Sequence, residues 1–88
     1  MVLMQHPGIL DAAVIGQESN KWGESPFAVI VPKSAGLTES EVVSYCDGKL
    51  ARFKLPKGVV FVEELPRNAT GKVLKRLLRE QFPGPASE

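Results

Sequence analysis

A single cysteine, Cys46, leaves the 88-residue chain without any intramolecular disulfide, which suits a reducing cytosol. That cysteine and the single histidine, His6, cannot close a zinc shell, so no metal site is predicted. No apolar run approaches the roughly 20 residues of a membrane span. The first residues also lack the basic stretch and apolar core of a secretory signal. A net charge of +1 with 7% aromatic residues provides neither a strong basic field nor many stacking platforms for nucleic acid. No serine sits in a nucleophile elbow, and there is no internal repeat or low-complexity tract. What is present is ordinary: 43% hydrophobic and 24% charged residues, typical of a globular domain. A chain this short buries roughly 60–65% of its unfolded surface. It rarely encloses a complete two-substrate site and reads as a module.

Met1-Val2-Leu3-Met4-Gln5 is helix-compatible and stopped by Pro7; it reads as the tail of a helix that starts outside the chain. His6 reads as a helix-terminal or packing residue, since no catalytic partner is evident. Ala12-Ala13-Val14-Ile15 predicts a short buried strand ending at Gly16, and Phe27-Ala28-Val29-Ile30-Val31 a second one stopped by Pro32. Residues 17–26 are polar and turn-rich, so the pair is expected to form an antiparallel hairpin with a long loop. That loop carries Trp22, read as packing over a sheet edge or as the wall of a ligand site. Thr38-Glu39-Ser40-Glu41 matches a capping box. Val42, Val43, Cys46 and Leu50 then recur at helical spacing, predicting a helix to about Phe53 with Gly48 inside it. Cys46 falls on the apolar face, as plain core. Val59-Val60-Phe61-Val62 is a third strand. The fold class expected is α+β: a small three-stranded sheet with helices packed against it. Residues 1–82 form the domain, and 83–88, Pro-Gly-Pro-Ala-Ser-Glu, are a flexible tail.

The stretch with chemistry in it runs from Pro66 to Arg79. Pro66, Asn68, Thr70 and Gly71 favour a turn. Val73, Leu74, Leu77, Leu78 and Phe82 then share one helical arc, while Lys72, Lys75, Arg76 and Arg79 share the other. Lys72 is thus expected where a loop meets a docked helix, a good mount for a cation that must reach a ligand. Gly71-Lys72 is not a nucleotide-binding P-loop. That motif needs glycine where Pro66 stands and Ser or Thr where Val73 stands. Taken alone, Lys72 is otherwise a solvated surface charge.

Pro66-Arg67-Asn68-Ala69-Thr70-Gly71-Lys72-Val73-Leu74-Lys75-Arg76, after Val59-Val60-Phe61-Val62-Glu63-Glu64-Leu65, closely resembles the end of the adenylate-forming enzymes. These are the acyl-CoA synthetases, peptide-synthetase adenylation domains and firefly-type luciferases. His6-Pro7-Gly8-Ile9 through Gly16 resembles the family's first lid strand. Lys21-Trp22-Gly23-Glu24 before Pro26-Phe27-Ala28-Val29 resembles the next loop and strand. Ala51-Arg52-Phe53-Lys54-Leu55-Pro56 resembles the segment Ala-x-Tyr/Phe-Lys-x-Pro. Gly71-Lys72-Val73-Leu74-Lys75-Arg76 with Trp22-Gly23-Glu24 is nearer to a fatty or aromatic acyl-CoA ligase than to the Gly-Lys-Val-Asp-Arg ending of peptide-synthetase domains.

The resemblance implies the small C-terminal lid of a cytoplasmic ATP-dependent acyl-CoA synthetase, partnered by a large N-terminal domain that holds the ATP and acyl sites. Lys72 matches the family's adenylation lysine, with Thr70 and Gly71 beside it in the loop that meets ATP and the acyl-adenylate. Trp22 and Phe53 match positions that approach the CoA channel in some acyl-CoA ligases. ATP and CoA would be substrates, with Mg2+ expected in the complete enzyme and none of them bound by these residues alone. The isolated chain is expected to be inactive. The alternatives are the lid of a peptide-synthetase domain, or a free-standing binding or regulatory module that reuses the lid fold.

Overall fold

The computed structural model describes residues 1–19 and 23–84. Trp22 and most of the expected tail, residues 85–88, lie outside them. Three strands form one sheet in the order β1-β2-β3, with β1 at Ile9–Ser19, β2 at Gly23–Pro32 and β3 at Gly58–Phe61. β1 and β2 are antiparallel and paired from Ile9↔Pro32 to Ser19↔Gly23. The expected long hairpin loop is therefore a correction. Gln17, Glu18, Glu24 and Ser25 belong to the strands, as an arm running past the core. A backbone ladder pairs through N–H and C=O whatever the side chains are, so polar composition alone mimicked a turn there.

β3 joins β2 in parallel, from Phe27↔Gly58 to Ile30↔Phe61. A parallel partner requires a crossover connection; residues 33–57 supply it and carry helix α1, Glu39–Cys46. The sheet divides the apolar residues by the period-2 rule for strands. Ala12, Ala28 and Ile30 pack with Val42 and Cys46 of α1 on one side. Ala13, Ile15, Val29 and Val31 pack with Leu65 and with Leu78 of helix α2 on the other. Each face of the sheet thus has its own helix, and α2 (Lys75–Gln81) covers the second.

α1 begins as its capping residues predict. The Thr38 hydroxyl accepts the Glu41 N–H at 3.2 Å and donates its own hydrogen to Glu41 Oε1 at 3.1 Å. Thr38→Ala is expected to cost about 0.5–2 kcal/mol, read as a lower urea midpoint with an unchanged slope. The helix stops at Cys46, however, and does not reach Phe53. Lys49 N–H and Leu50 N–H both turn back to the Cys46 carbonyl, at 2.9 and 3.0 Å. Gly48 adopts φ 84°, a backbone that glycine takes at little cost. It is the reversal residue and not a helix-interior glycine. Leu50 still packs on the α1-side core, which is why it kept helical spacing. Arg52–Lys54 then make a separate 3-10 turn. Cys46 is fully buried, and that burial pushes its thiol pKa up against the opposing charge of Lys49.

At the N-terminus, Leu3–Gln5 is a 3-10 turn. Pro7 drives the preceding His6 to extended backbone, φ −70° and ψ 128°. His6 packs, as expected: Nδ1 accepts the Gly8 N–H at 2.8 Å and the ring meets Tyr45 edge-on at 4.7 Å. At the other end, the Gln17 amide donates to the Phe82 carbonyl at 3.0 Å, and Phe82 lies 6.0 Å from the Phe27 ring. Gly84 sits against β1 so closely that a Cβ would stand 3.0 Å from Gln17 Cβ and 3.2 Å from the Glu18 carbonyl oxygen.

Candidate functional site

The loop that carries Lys72 hangs between two buried leucines. Leu65 enters it at 6% exposure and Leu78 of α2 follows it at 1%, while residues 67–72 are all exposed. No apolar packing shapes the tip, so hydrogen bonds must. Arg67 and Val73 form an antiparallel bridge, and Leu74 N–H donates to the Pro66 carbonyl at 2.8 Å. Asn68 N–H donates to the Lys72 carbonyl, and Gly71 N–H to the Asn68 carbonyl, each at 3.0 Å. The result is a miniature hairpin. Gly71 takes φ 86° at its tip, where a β-carbon would be strained.

Asn68 organises the interior of this hairpin. Its Oδ1 accepts Thr70 N–H at 3.1 Å, Thr70 Oγ1–H at 2.8 Å and Lys72 N–H at 2.9 Å. Thr70 therefore turns its hydroxyl hydrogen inward to the loop. Arg67 adds an outer brace, donating to the Gly71 carbonyl and to Asp11 of β1, both at 2.5 Å.

The helix begins later than its periodicity implies. Lys72 and Val73 belong to the hairpin, Leu74 is the helix N-cap, and α2 starts at Lys75. Lys72 is thus held by the extended arm of a turn and not by the first turn of a helix. Leu77, expected on the docked face, is 37% exposed; Leu78 is the fully buried anchor, with Val73 and Phe82 partly buried on the same cluster.

Lys72 makes no ion pair among the described residues. It borders an open groove of about 580 Å³ lined also by Asn68, Lys75, Arg76 and Arg79. Glu80 answers Arg76 at 3.2 Å, and the other cations of the groove make no ion pair among the described residues. A chain of net charge +1 has here gathered positive charge on one wall, the arrangement that raises the local concentration of an anion.

Phe53 stands elsewhere. It is 74% exposed on its 3-10 turn and lines a recess of about 330 Å³ with Glu24, Ser25, Pro26 and Lys57. That recess lies at the Pro26 end of β2, whereas Arg67 ties the Lys72 loop to Asp11, the partner of Val31. At about 3.3 Å per residue the two positions are about 17 Å apart along the strand. The structure does not bring Lys72 and Phe53 together; they occupy opposite ends of the sheet. Among the described residues no three His, Cys, Asp or Glu side chains gather to hold a metal.

The family model described as the AMP-binding enzyme C-terminal domain matches residues 1–72. The chain belongs to that family. Lys72 is the last residue of the match. Relatives of this domain include the long-chain-fatty-acid–CoA ligase FadD13 of Mycobacterium tuberculosis, 48% identical over 81 residues that make up 92% of this chain and 16% of the ligase. The 2-succinylbenzoate–CoA ligase of Bacillus cereus is 48% identical over 79 residues, 90% of this chain and 16% of that enzyme. Among solved structures, apo MatB from Rhodopseudomonas palustris superposes with a TM-score of 0.88 at 44% identity, over 93% of this chain and 17% of MatB. The C-terminal domain described here therefore spans about a sixth of the length of the curated relatives it matches.

Asn68, Arg67 and Asp11 escaped the sequence reading as site residues. The spacing of Asn68 and Thr70 is that of a side chain bonding the backbone two residues on, a signal that could have singled out Asn68. Nothing local could have paired Arg67 with a carboxylate on β1.

Proposed function

We propose that this domain is the closing lid of an ATP-dependent acyl-CoA synthetase and that Lys72 is its catalytic residue for adenylation. The observation that carries the reading is a lysine with no ion pair among the described residues, held on a braced hairpin at the edge of a cationic groove. Membership of the AMP-binding C-terminal family and likeness to CoA ligases of two different acids support it. In the reaction a carboxylate oxygen bonds to the α-phosphorus of ATP as the bond to pyrophosphate breaks, giving acyl-AMP. Two anions must converge, and a compact ammonium on a long stem can bridge carboxylate and phosphate where charge accumulates. Gly71 and Thr70 give the stem its approach, Gly71 by its left-handed backbone and Thr70 by closing the turn on Asn68.

CoA would then take the acyl group from the adenylate. Phe53, at the other end of the sheet, is assigned to the pantetheine path, and so is Trp22 by its match to the family's motif. The acid is a fatty or aromatic carboxylic acid, the enzyme acts in the cytoplasm, and the isolated domain has no ligase activity. No described helix is long and apolar enough to cross a membrane.

ATP–pyrophosphate exchange by the complete protein, across fatty, aromatic and amino acids, tests this. Exchange is expected with a fatty or aromatic acid and not with the isolated domain. Exchange driven by amino acids alone, or by none of the panel, would overturn it.

A further inference from the structure

Asn68 shapes the Lys72 hairpin but ties it to nothing outside itself. Among the described residues, the side-chain hydrogen bond that ties 67–72 to the sheet runs from Arg67 to Asp11. Its geometry begins in β1, where the register shifts between Ile9 and Asp11 so that Leu10 is an extra residue. Such a bulge re-aims the side chains around it. Here it places Ile9 and Ala12 together on the α1-side core and leaves Leu10 59% exposed. Asp11 follows directly. Its Oδ1 accepts the N–H of Ala12 at 3.0 Å, which orients the carboxylate and leaves Oδ2 for Arg67 Nη2 at 2.5 Å. The other arm of the guanidinium, Nη1, donates to the Gly71 carbonyl at 2.5 Å. That carbonyl belongs to the peptide joining Gly71 to Lys72.

We infer that Arg67, held by Asp11, is a positioning residue for Lys72. One rigid planar group grips β1 on one side and the 71–72 peptide on the other, and so sets the direction in which the lysine stem leaves the hairpin. The pair is too exposed, at 41% and 24%, to contribute much to folding. Its worth is orientation. Without it the hairpin keeps its internal bonds but loses its side-chain tie to the sheet, and the ammonium samples a wider arc. This inference rests on the adenylation role proposed for Lys72.

The experiment separates the two half-reactions in the complete ligase: pyrophosphate release from ATP and acid, and thioester formation from preformed acyl-AMP and CoA. Arg67→Ala is expected to slow adenylation about 10–100-fold, the scale of a misplacement near 1 Å, with the loss confined to that half-reaction. Asp11→Asn should lose less, the double variant should be no slower than Arg67→Ala, and Arg67→Lys should recover part of the rate. Arg67→Ala placed on Lys72→Ala should have no further effect on adenylation, since nothing remains to be positioned. Proportional loss of both half-reactions, or additive losses with Lys72→Ala, would overturn the inference and mark Arg67 as merely structural. Lys72→Ala alone serves as the reference. If it loses adenylation selectively while Arg67→Ala matches the parent, the inference fails and the proposed function stands. If it is not selective, the proposed function itself fails.

Discussion

Lys72→Ala in the complete protein is expected, on the adenylation role proposed for it, to lower adenylate formation about 10²–10³-fold, the scale of losing one preorganised charge donor. Thioester formation from preformed acyl-AMP should largely survive. The asymmetry follows from what the side chain does. Its ammonium is exposed and without an ion pair among the described residues, so its removal deletes no packing and leaves no buried partner stranded. The backbone of Lys72 is held through Asn68, independently of the side chain, so the hairpin should persist in the alanine variant. On the proposed role, only a step in which carboxylate and α-phosphate converge needs the charge. Lys72→Arg keeps the charge but exchanges a compact point donor for a planar fork, and should restore a minor part of the rate. An equal loss in both half-reactions would show that Lys72 is not the adenylation cation.

Leu78→Ala should produce the largest loss of stability among single changes near the site. Leu78 is 1% exposed and packs with Ala13, Ile15, Val29, Val31 and Leu65. Removing such a side chain costs about 2–5 kcal/mol, through lost transfer energy and an incompletely filled cavity. For a domain of this size that is a fall in Tm on the order of 10 °C or more. α2 is only seven residues long, too short to persist without tertiary packing, and it presents a single fully buried side chain. Undocking it would also release one end of the Lys72 hairpin, so adenylation should fall together with the Tm. Calorimetry of the domain checks the first effect, and adenylation measured at low temperature, where the variant refolds, checks that the second is its consequence. A Tm within about 2 °C of the parent would show that Leu78 does not anchor the helix.

Much of the architecture was legible because it depends on local periodicity. The apolar runs from Ala12 to Ile15 and from Phe27 to Val31 mark strands whose two faces feed two cores. Thr38 and Glu41 mark a helix start that the backbone obeys. The failures came where tertiary context outweighed local pattern. Gln17, Glu18, Glu24 and Ser25 look like a turn but ladder together past the core. Leu50 keeps helical spacing while a glycine reversal delivers it to the same core by another route. At the site, Lys72 and its glycine were visible as a motif, whereas the tie from Arg67 to Asp11 spans 56 positions and leaves no short-range trace. Which helix face docks was also only partly readable, because α2 begins after the hairpin has consumed Lys72 and Val73.

The separation of Lys72 and Phe53 to opposite ends of the strands has a mechanical consequence. A sheet braced by a helix on each face behaves as a stiff beam, and a beam that swings about its middle lowers one tip as it raises the other. If the proposed lid swings in this way, no φ or ψ within it has to change for the two tips to trade places, and the work of the swing would fall on the surfaces it rests against. Substitutions that soften the interior would then blunt both tips together, whereas substitutions on the resting surfaces would bias which tip is down.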